Sequence, residues 1–237
     1  MRVAILRPRE YIEETILKFR KEGFDIIGVP FVRIEVNDRM DEIKLNNYDV
    51  LIITSQTSAK ILIDRVDKTL LKSKIVIAIG KKTAEVLQSR GIKVETPTKF
   101  DSKTLYEEFK GKLKNLKVLA LRSDKGSKIL LKLQDVCDFE EIKLYSIEFE
   151  HGNEQKEFVK EVFKSNNRCA IVFSSSMIAN SFIDLSKKLG FDVKNLNQTC
   201  IAIGPPTRAV LERHGIRALM PSEYSFDGVI ELLKMIV

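Results

Sequence analysis

The sequence predicts an α/β fold made of two flavodoxin-like, parallel-sheet domains. Three observations carry that prediction. β-branched runs alternate with amphipathic segments along the chain, one stretch recurs at a fixed spacing, and the ten strand candidates divide evenly between two copies.

The first strand candidates are Val3–Leu6, Asp25–Val29, Val50–Thr54, Ile75–Ile79 and Lys93–Glu95. The second set is Lys117–Leu121, Ile142–Tyr145, Ala170–Ser174, Cys200–Ile203 and Arg217–Leu219. Runs such as Ile75-Val76-Ile77-Ala78-Ile79 are apolar on both faces, as in a sheet covered on both sides. Helix patterns lie between them at Glu10–Lys21, Ser58–Val66, Lys82–Ser89, Ser102–Lys112, Ser127–Val136, Glu154–Lys164, Ile178–Lys188, Thr207–His214 and Phe226–Met235. Apolar residues recur there every three or four positions, as at Ile12, Ile16 and Phe19. Gly23, Gly91, Gly190 and Gly215 each end a helix just ahead of the next strand, the place of a left-handed cap. Strand–helix–strand alternation implies parallel strands joined by right-handed crossovers.

The repeat is direct. Ile79-Gly80-Lys81-Lys82-Thr83-Ala84-Glu85-Val86-Leu87 matches Ile203-Gly204-Pro205-Pro206-Thr207-Arg208-Ala209-Val210-Leu211. The offset of 124 holds from Gly91 to Gly215, from Pro97 to Pro221 and from Phe100 to Tyr224. Upstream, Ile53-Thr54-Ser55 parallels Phe173-Ser174-Ser175, and Val118–Arg122 parallels Val3–Arg7. A period this long is a whole α/β domain, not a solenoid unit. Two stretches, Val29–Val36 and Ile142–Glu150, begin as second strands and then run on with polar alternation. They are expected to pair as a two-stranded connection between the domains.

Composition narrows the class. With 237 residues, 44% hydrophobic and 31% charged, the chain is too polar for a membrane protein and too apolar for a disordered one. Arg7 and Pro8 break the first apolar stretch, so no signal peptide is expected and the protein is placed in the cytoplasm. Cys137, Cys169 and Cys200 are far apart and odd in number, which predicts reduced core residues rather than a disulfide framework or zinc site. His151 and His214 have no second ligand at metal spacing. Lys+Arg 40 against Asp+Glu 33 leaves +7, which points to an anionic partner. The cations are dispersed among acids with no basic stripe, so nucleic acid is not the expected one.

The chemistry is expected in loops after strand carboxyl ends, where open α/β sheets bind ligands. These are Thr54-Ser55-Gln56-Thr57-Ser58, Gly80-Lys81-Lys82-Thr83, Ser174-Ser175-Ser176 and Gly204-Pro205-Pro206-Thr207. The Ser and Thr residues here are expected to be helix caps, one residue in each of the four loops, and the same helix starts offer N–H donors to anions. Arg7 and Arg122 end the first strand of each copy, where an arginine either pairs with a carboxylate or phosphate ligand or lies on the surface. GxGxxG, GxxxxGK[ST], GxSxG and HExxH are all absent, so nucleotide binding, serine hydrolysis and a metal are not predicted.

In this order, Leu-Arg-Pro at Leu6–Pro8, Ile-Thr-Ser at Ile53–Ser55, Ile-Gly-x-x-Thr-Ala from Ile79, Leu-Arg-Ser at Leu121–Ser123, Leu-Tyr at Leu144–Tyr145, Phe-Ser-Ser-Ser from Phe173 and Ile-Gly-Pro-x-Thr from Ile203 resemble the uroporphyrinogen-III synthase family. The resemblance covers essentially the whole chain. It implies swapped connectivity: one domain from residues 1–33 and 148–237, the other from 38–142, with 29–37 and 142–150 as the two-stranded linker. It implies a cofactor-free cyclisation of hydroxymethylbilane with inversion of ring D and loss of water, in a cleft between the domains. Tyr145 takes the place of the family's Leu-Tyr tyrosine, the candidate for assisting hydroxyl loss; on its residues alone it could equally be a packed strand aromatic. Arg7, Thr54, Ser55, Lys81, Thr83, Arg122, Ser174, Ser175 and Thr207 are the expected substrate-binding residues. The partner implied is a linear tetrapyrrole polycarboxylate met by a monomer with no metal, nucleic acid or membrane, with a transient handover from hydroxymethylbilane synthase. Pro205-Pro206 and Ser123 depart from the family pattern, the second proline deleting an N–H donor. The alternative is a non-catalytic two-domain α/β protein that binds a small anion.

Overall fold

The computed structural model describes residues 2–37, 43–165 and 168–236. In chain order the elements are β1 (Arg2–Leu6), α1 (Ile12–Lys21), β2 (Ile26–Val29), β3 (Val32–Val36), β4 (Val50–Ile53), α2 (Gln56–Arg65), α3 (Lys68–Lys72), β5 (Ile75–Ala78) and α4 (Lys81–Gln88). They continue with α5 (Ser102–Phe109), β6 (Lys117–Ser123), β7 (Asp138–Phe149), α6 (Asn153–Lys164), β8 (Cys169–Phe173) and α7 (Ser176–Lys188). The last are β9 (Thr199–Ala202), α8 (Pro205–Arg213), β10 (Ala218–Leu219) and α9 (Phe226–Ile236).

The chain divides into two units, Met1–Ile34 with Glu148–Val237, and Glu35–Ile147. The predicted start of the second domain at residue 38 lies outside the described residues.

In the first unit the sheet order is β2-β1-β8-β9-β10, with parallel neighbours throughout. Val3, Ile5, Ala170, Val172 and Ile201 face Phe19 of α1 and Val229, Ile230 and Leu233 of α9. Phe182 of α7 is fully buried and meets Phe173 at 5.4 Å and Phe31 at 5.5 Å, both edge-on.

In the second unit the order is β3-β7-β6-β4-β5. The series β7-β6-β4-β5 repeats β2-β1-β8-β9 by position and parallel direction. The connectivity is therefore interleaved: the chain leaves the first sheet after β2, builds the second, and returns at β8. Val50, Ile52, Val118, Ala120 and Phe139 are buried against Leu105, Phe109, Leu130 and Leu133.

β3 and β7 form the expected two-stranded ladder. Glu150 N–H donates to the Phe31 carbonyl (3.0 Å) and Asn37 N–H to that of Leu144 (2.7 Å). One strand rises as the other falls, so the pair is antiparallel. The expected extended run Val29–Val36 breaks at Pro30-Phe31, which separates β2 in one sheet from β3 in the other. Proline cannot donate to a ladder, which suits that break.

Three further details differ from the pattern reading. Lys93–Glu95 is not a strand but a single bridge, Ile77 to Glu95, held by Glu95 N–H to Val76 O and Ala78 N–H to Glu95 O, each 2.9 Å. Ser127–Val136 contains a 3₁₀ helix, Lys128–Asp135, in place of an α-helix. Its buried Leu130 and Leu133 are three apart, the spacing that aligns in a 3₁₀ turn. The five-residue α3 lies in a stretch read as loop; Asp67 caps it by accepting from Thr69 N–H. Among the described residues no helix is long and apolar enough to cross a membrane.

Candidate active site

The second unit carries its candidate residues at the carboxyl edge of its sheet. β4 ends at Ile53, and Thr54 then donates its N–H (3.2 Å) and its hydroxyl (3.3 Å) to the Leu121 carbonyl. Ser55 is extended, φ −155° and ψ 159°, and its Oγ accepts from Ser58 N–H at 3.0 Å, which starts α2.

Tyr145 reaches this point through an irregularity in β7. Arg122 pairs with Lys143, but Ser123 pairs with Tyr145, so Leu144 is an extra residue on the β7 side. Without it, Leu144 would oppose Ser123 and Tyr145 would share the face of Lys143. The bulge turns Tyr145 to the side where α2 begins. Its Oη lies 2.9 Å from Ser55 Oγ, and the ring is 95% buried, leaving 5% exposed. Asp124 holds the bulge, donating its N–H to Tyr145 O (3.0 Å) and accepting from Ile147 N–H at 3.1 Å.

Arg122 is on the opposite face and is also buried. Its Nη1 donates to Glu141 at 2.7 Å, while Nε is buried without a hydrogen-bond partner among the described residues. The guanidinium lies against the backbone of Gly126.

In the two glycine loops no Ser or Thr hydroxyl caps the helix; the N-caps are Gly80 and Gly204, and Gly80 starts α4 at φ 104°, which a residue with a Cβ rarely adopts. The helix that follows opens with exposed Lys81 and buried Thr83; Ala84 donates its N–H to Gly80 O at 3.1 Å, while the N–H groups of Lys81, Lys82 and Thr83 have no acceptor within the helix. The matching loop in the first unit is different. Pro205 and Pro206 have no N–H, and Thr207 and Arg208 both donate theirs to Gly204 O at 3.1 Å. α8 therefore offers no free amide in its first turn, although Thr207 is as buried as Thr83.

Ser174 and Ser175 repeat Thr54 and Ser55. Ser174 N–H donates to Leu6 O at 3.3 Å, and Ser175 caps α7 by accepting from Ile178 N–H at 3.2 Å. Arg7 is half-buried. Its guanidinium lies 5.0 Å from the Tyr11 ring centre and 4.7 Å from that of Phe226, and Nη1 donates to Thr15 Oγ1. Burial lowers the Arg7 pKa, opposed by Glu14 and Tyr11. In this setting the arginine presents a charge with aromatic walls.

The structure thus brings Thr54, Ser55 and Tyr145 together in one unit, and Ser174, Ser175 and Arg7 at the equivalent strand ends of the other. The sequence reading placed Ser58 in a candidate loop without naming it a site residue, and it missed Tyr11, Thr15, Phe226 and Glu141. The Ser-x-x-Ser spacing of Ser55 and Ser58 and the four-residue step from Arg7 to Tyr11 were available signals; Phe226 and Glu141 had none.

Other groups stand apart from this site. Burial pushes the Cys169 thiol up to about 11 and the Cys200 thiol up to about 12, so neither is an activated nucleophile. A cavity of about 740 Å³ lined by Tyr48, Glu140 and Lys143 holds none of the expected residues. Among the described residues no group of three His, Cys, Asp or Glu side chains could hold a metal ion.

Comparison with known proteins places this chain in a family. Residues 13–231 match the family model described as Uroporphyrinogen-III synthase HemD. A putative uroporphyrinogen-III synthase of Archaeoglobus fulgidus is 47% identical over 235 residues, 99% of this chain and 98% of the relative. One of Methanocaldococcus jannaschii is 26% identical over 242 residues, covering 99% of this chain and 98% of the relative. Among solved structures, uroporphyrinogen-III synthetase from Helicobacter pylori aligns with TM-score 0.69 at 20% identity, covering 100% of both chains, a likeness of fold. A mutant uroporphyrinogen III synthase from Thermus thermophilus aligns with TM-score 0.67 at 16% identity, over 99% of this chain and 97% of that one. Matched along nearly its whole length by the family model and by a relative of almost half its residues, this chain belongs to the uroporphyrinogen-III synthase family.

Proposed function

We propose that this protein is a cofactor-independent lyase that cyclises hydroxymethylbilane to uroporphyrinogen III, with inversion of ring D and loss of water. Family membership makes it an enzyme of tetrapyrrole synthesis. The observation that supports the finer reading is Tyr145, whose phenol sits 2.9 Å from Ser55 at the carboxyl edge of the second sheet.

Tyr145 is the proposed proton donor. Its phenolic O–H can donate to the terminal hydroxyl of the bilane as the C–O bond breaks and water leaves. The azafulvene so formed on ring A bonds to the substituted position of ring D and gives a spiro intermediate. Its fragmentation and reclosure invert that ring. Left uncatalysed, the chain closes to the uninverted type I isomer, so the enzyme must also hold a flexible polyacid in the closing geometry.

Carboxylate arms are the proposed ligands of Arg7, Thr54, Ser55, Lys81, Ser174 and Ser175. Thr83, Arg122 and Thr207 are each more than nine-tenths buried, and their proposed part is to hold the binding loops from behind. The charge of +7 suits such a polyanion. The same reading has the enzyme acting as a cytoplasmic monomer that takes hydroxymethylbilane in a transient handover from the synthase that makes it, because the free bilane closes on its own. The family match does not favour the non-catalytic alternative.

The test couples the purified protein to hydroxymethylbilane synthase and porphobilinogen, oxidises the product and separates the isomers chromatographically. Type III product is expected. Type I alone would show that the protein does not direct closure.

A further inference from the structure

The hydroxyls of Ser58, Ser55 and Tyr145 form a chain whose direction can be worked out. Ser55 Oγ has one proton and two lone pairs. It accepts the Ser58 N–H at 3.0 Å and donates to Ser58 Oγ at 3.0 Å. Its proton is then in use, so in the 2.9 Å contact with Tyr145 the phenol donates and Ser55 accepts. Ser58 is fully buried and Tyr145 nearly so, which leaves little competing water along the chain.

This resting direction is wrong for catalysis. While the Tyr145 proton points at Ser55 it cannot point at a substrate hydroxyl. It becomes available when the chain reverses: Ser58 then donates to Ser55, and Ser55 donates to the phenolic oxygen. In that direction Ser55 also stabilises the negative charge that grows on Tyr145 as its proton leaves. The β7 bulge supports the same reading, because it is what turns Tyr145 toward Ser55.

We propose that Ser58 is a positioning residue that acts on the reaction through Ser55 and Tyr145, by holding a hydroxyl chain that reverses when the substrate's hydroxyl arrives. The proposal rests on Tyr145 being the proton donor. The chemical balance is simple. The Tyr145 O–H bond breaks, the leaving hydroxyl gains that proton, and the C–O bond breaks to release water. The serines only turn their hydroxyls and nothing is oxidised or reduced; when ring D recloses at its unsubstituted α-carbon, that carbon loses its C–H proton as the pyrrole rearomatises, and this proton restores the phenol, so one water leaves per turnover.

The experiment is a double-mutant cycle on type III formation with Ser58→Ala, Tyr145→Phe and the double variant, with thermal melts confirming that each is folded. Ser58→Ala keeps the Ser55 cap, because that bond uses the Ser58 backbone. In the reversed chain Ser58 donates to Ser55 and strengthens the Ser55 bond to the phenolic oxygen; loss of that support is expected to lower kcat about fivefold, the size of one neutral hydrogen bond, with KM unchanged. In the Tyr145→Phe background the same substitution is expected to have no further effect. A folded Ser58→Ala with wild-type kcat, a change confined to KM, or an equal loss in both backgrounds would each overturn the positioning role. Full activity in Tyr145→Phe would instead remove Tyr145 as donor, and a wild-type protein making only type I would remove the proposed function itself.

Discussion

Gly126 lies so close to Arg122 that a Cβ built on the glycine would fall 2.7 Å from Nη2 and 2.8 Å from Cζ, and closer still to Nε. An arginine tip can usually move aside. Here the side chain is 4% exposed and tied to the partly exposed Glu141 at 2.7 Å, so moving it means breaking a half-buried pair. Gly126→Ala is therefore expected to lower stability by about 1–3 kcal/mol, read from denaturant titration. A change below about 0.5 kcal/mol, the range of ordinary surface substitutions, would show that the guanidinium is free to relax.

Tyr145→Phe removes one hydroxyl and leaves the buried ring in place. Type III formation is expected to fall by about 10²–10⁴, the usual contribution of a positioned acid, while the melting temperature moves only a few degrees. Unchanged turnover would take the phenol out of the reaction.

Arg7 offers a separate handle on binding. Arg7→Met keeps an unbranched stem between Tyr11 and Phe226 but removes the charge and the bond to Thr15. KM for hydroxymethylbilane is expected to rise about tenfold, the worth of one charge-assisted contact, with kcat little changed. A loss seen only in stability would make the arginine a packing residue.

Stability should also depend on pH in a window that opens near 6.5, the ordinary imidazole value, and closes at the lower folded values of two histidines. His151 is held below the ordinary imidazole value, mainly by burial, with the Ser181 hydrogen bond and Asp184 opposing. His214 is lowered too, by burial and then by Lys187 and Arg213. For a lowered pKa the unfolded chain takes up the proton first on acidification. The contribution is then fully present above about 6.5 and is lost as pH falls through the lower folded value. Asp67 and Asp101 are lowered from a carboxylate range and titrate below this window. Urea titrations at pH 7.5 and 5.5 should show the drop, and His151→Gln should make it smaller. An identical drop in the variant would exclude His151 as a source.

Much of the fold was legible because it is written in local patterns. A short β-branched run like Val50-Leu51-Ile52-Ile53 suits a strand buried on both faces of a sheet, and these four residues do form β4. Ser55 and Ser175 were readable as caps because capping spans three residues. Lys93–Glu95 looked like a strand for the same local reasons. It pairs at one residue only, since partner and edge position decide how far a ladder extends. Ser127–Val136 carried apolar residues that suit either helix type, and packing of Leu130 and Leu133 selected the tighter one.

By itself the sequence determined the α/β class, the two copies, the strand-end loops and the family, because alternation, turn residues and repeats act over a few positions at a time. The tertiary structure decided which way Tyr145 faces, that Arg122 meets Glu141 instead of solvent, and that α8 keeps no free amide while α4 does. Tyr145 and Ser55 are 90 residues apart, and their contact depends on one extra residue in β7. A side chain's face changes with every single-residue shift of register, and register is set by pairing between strands, which no local pattern records.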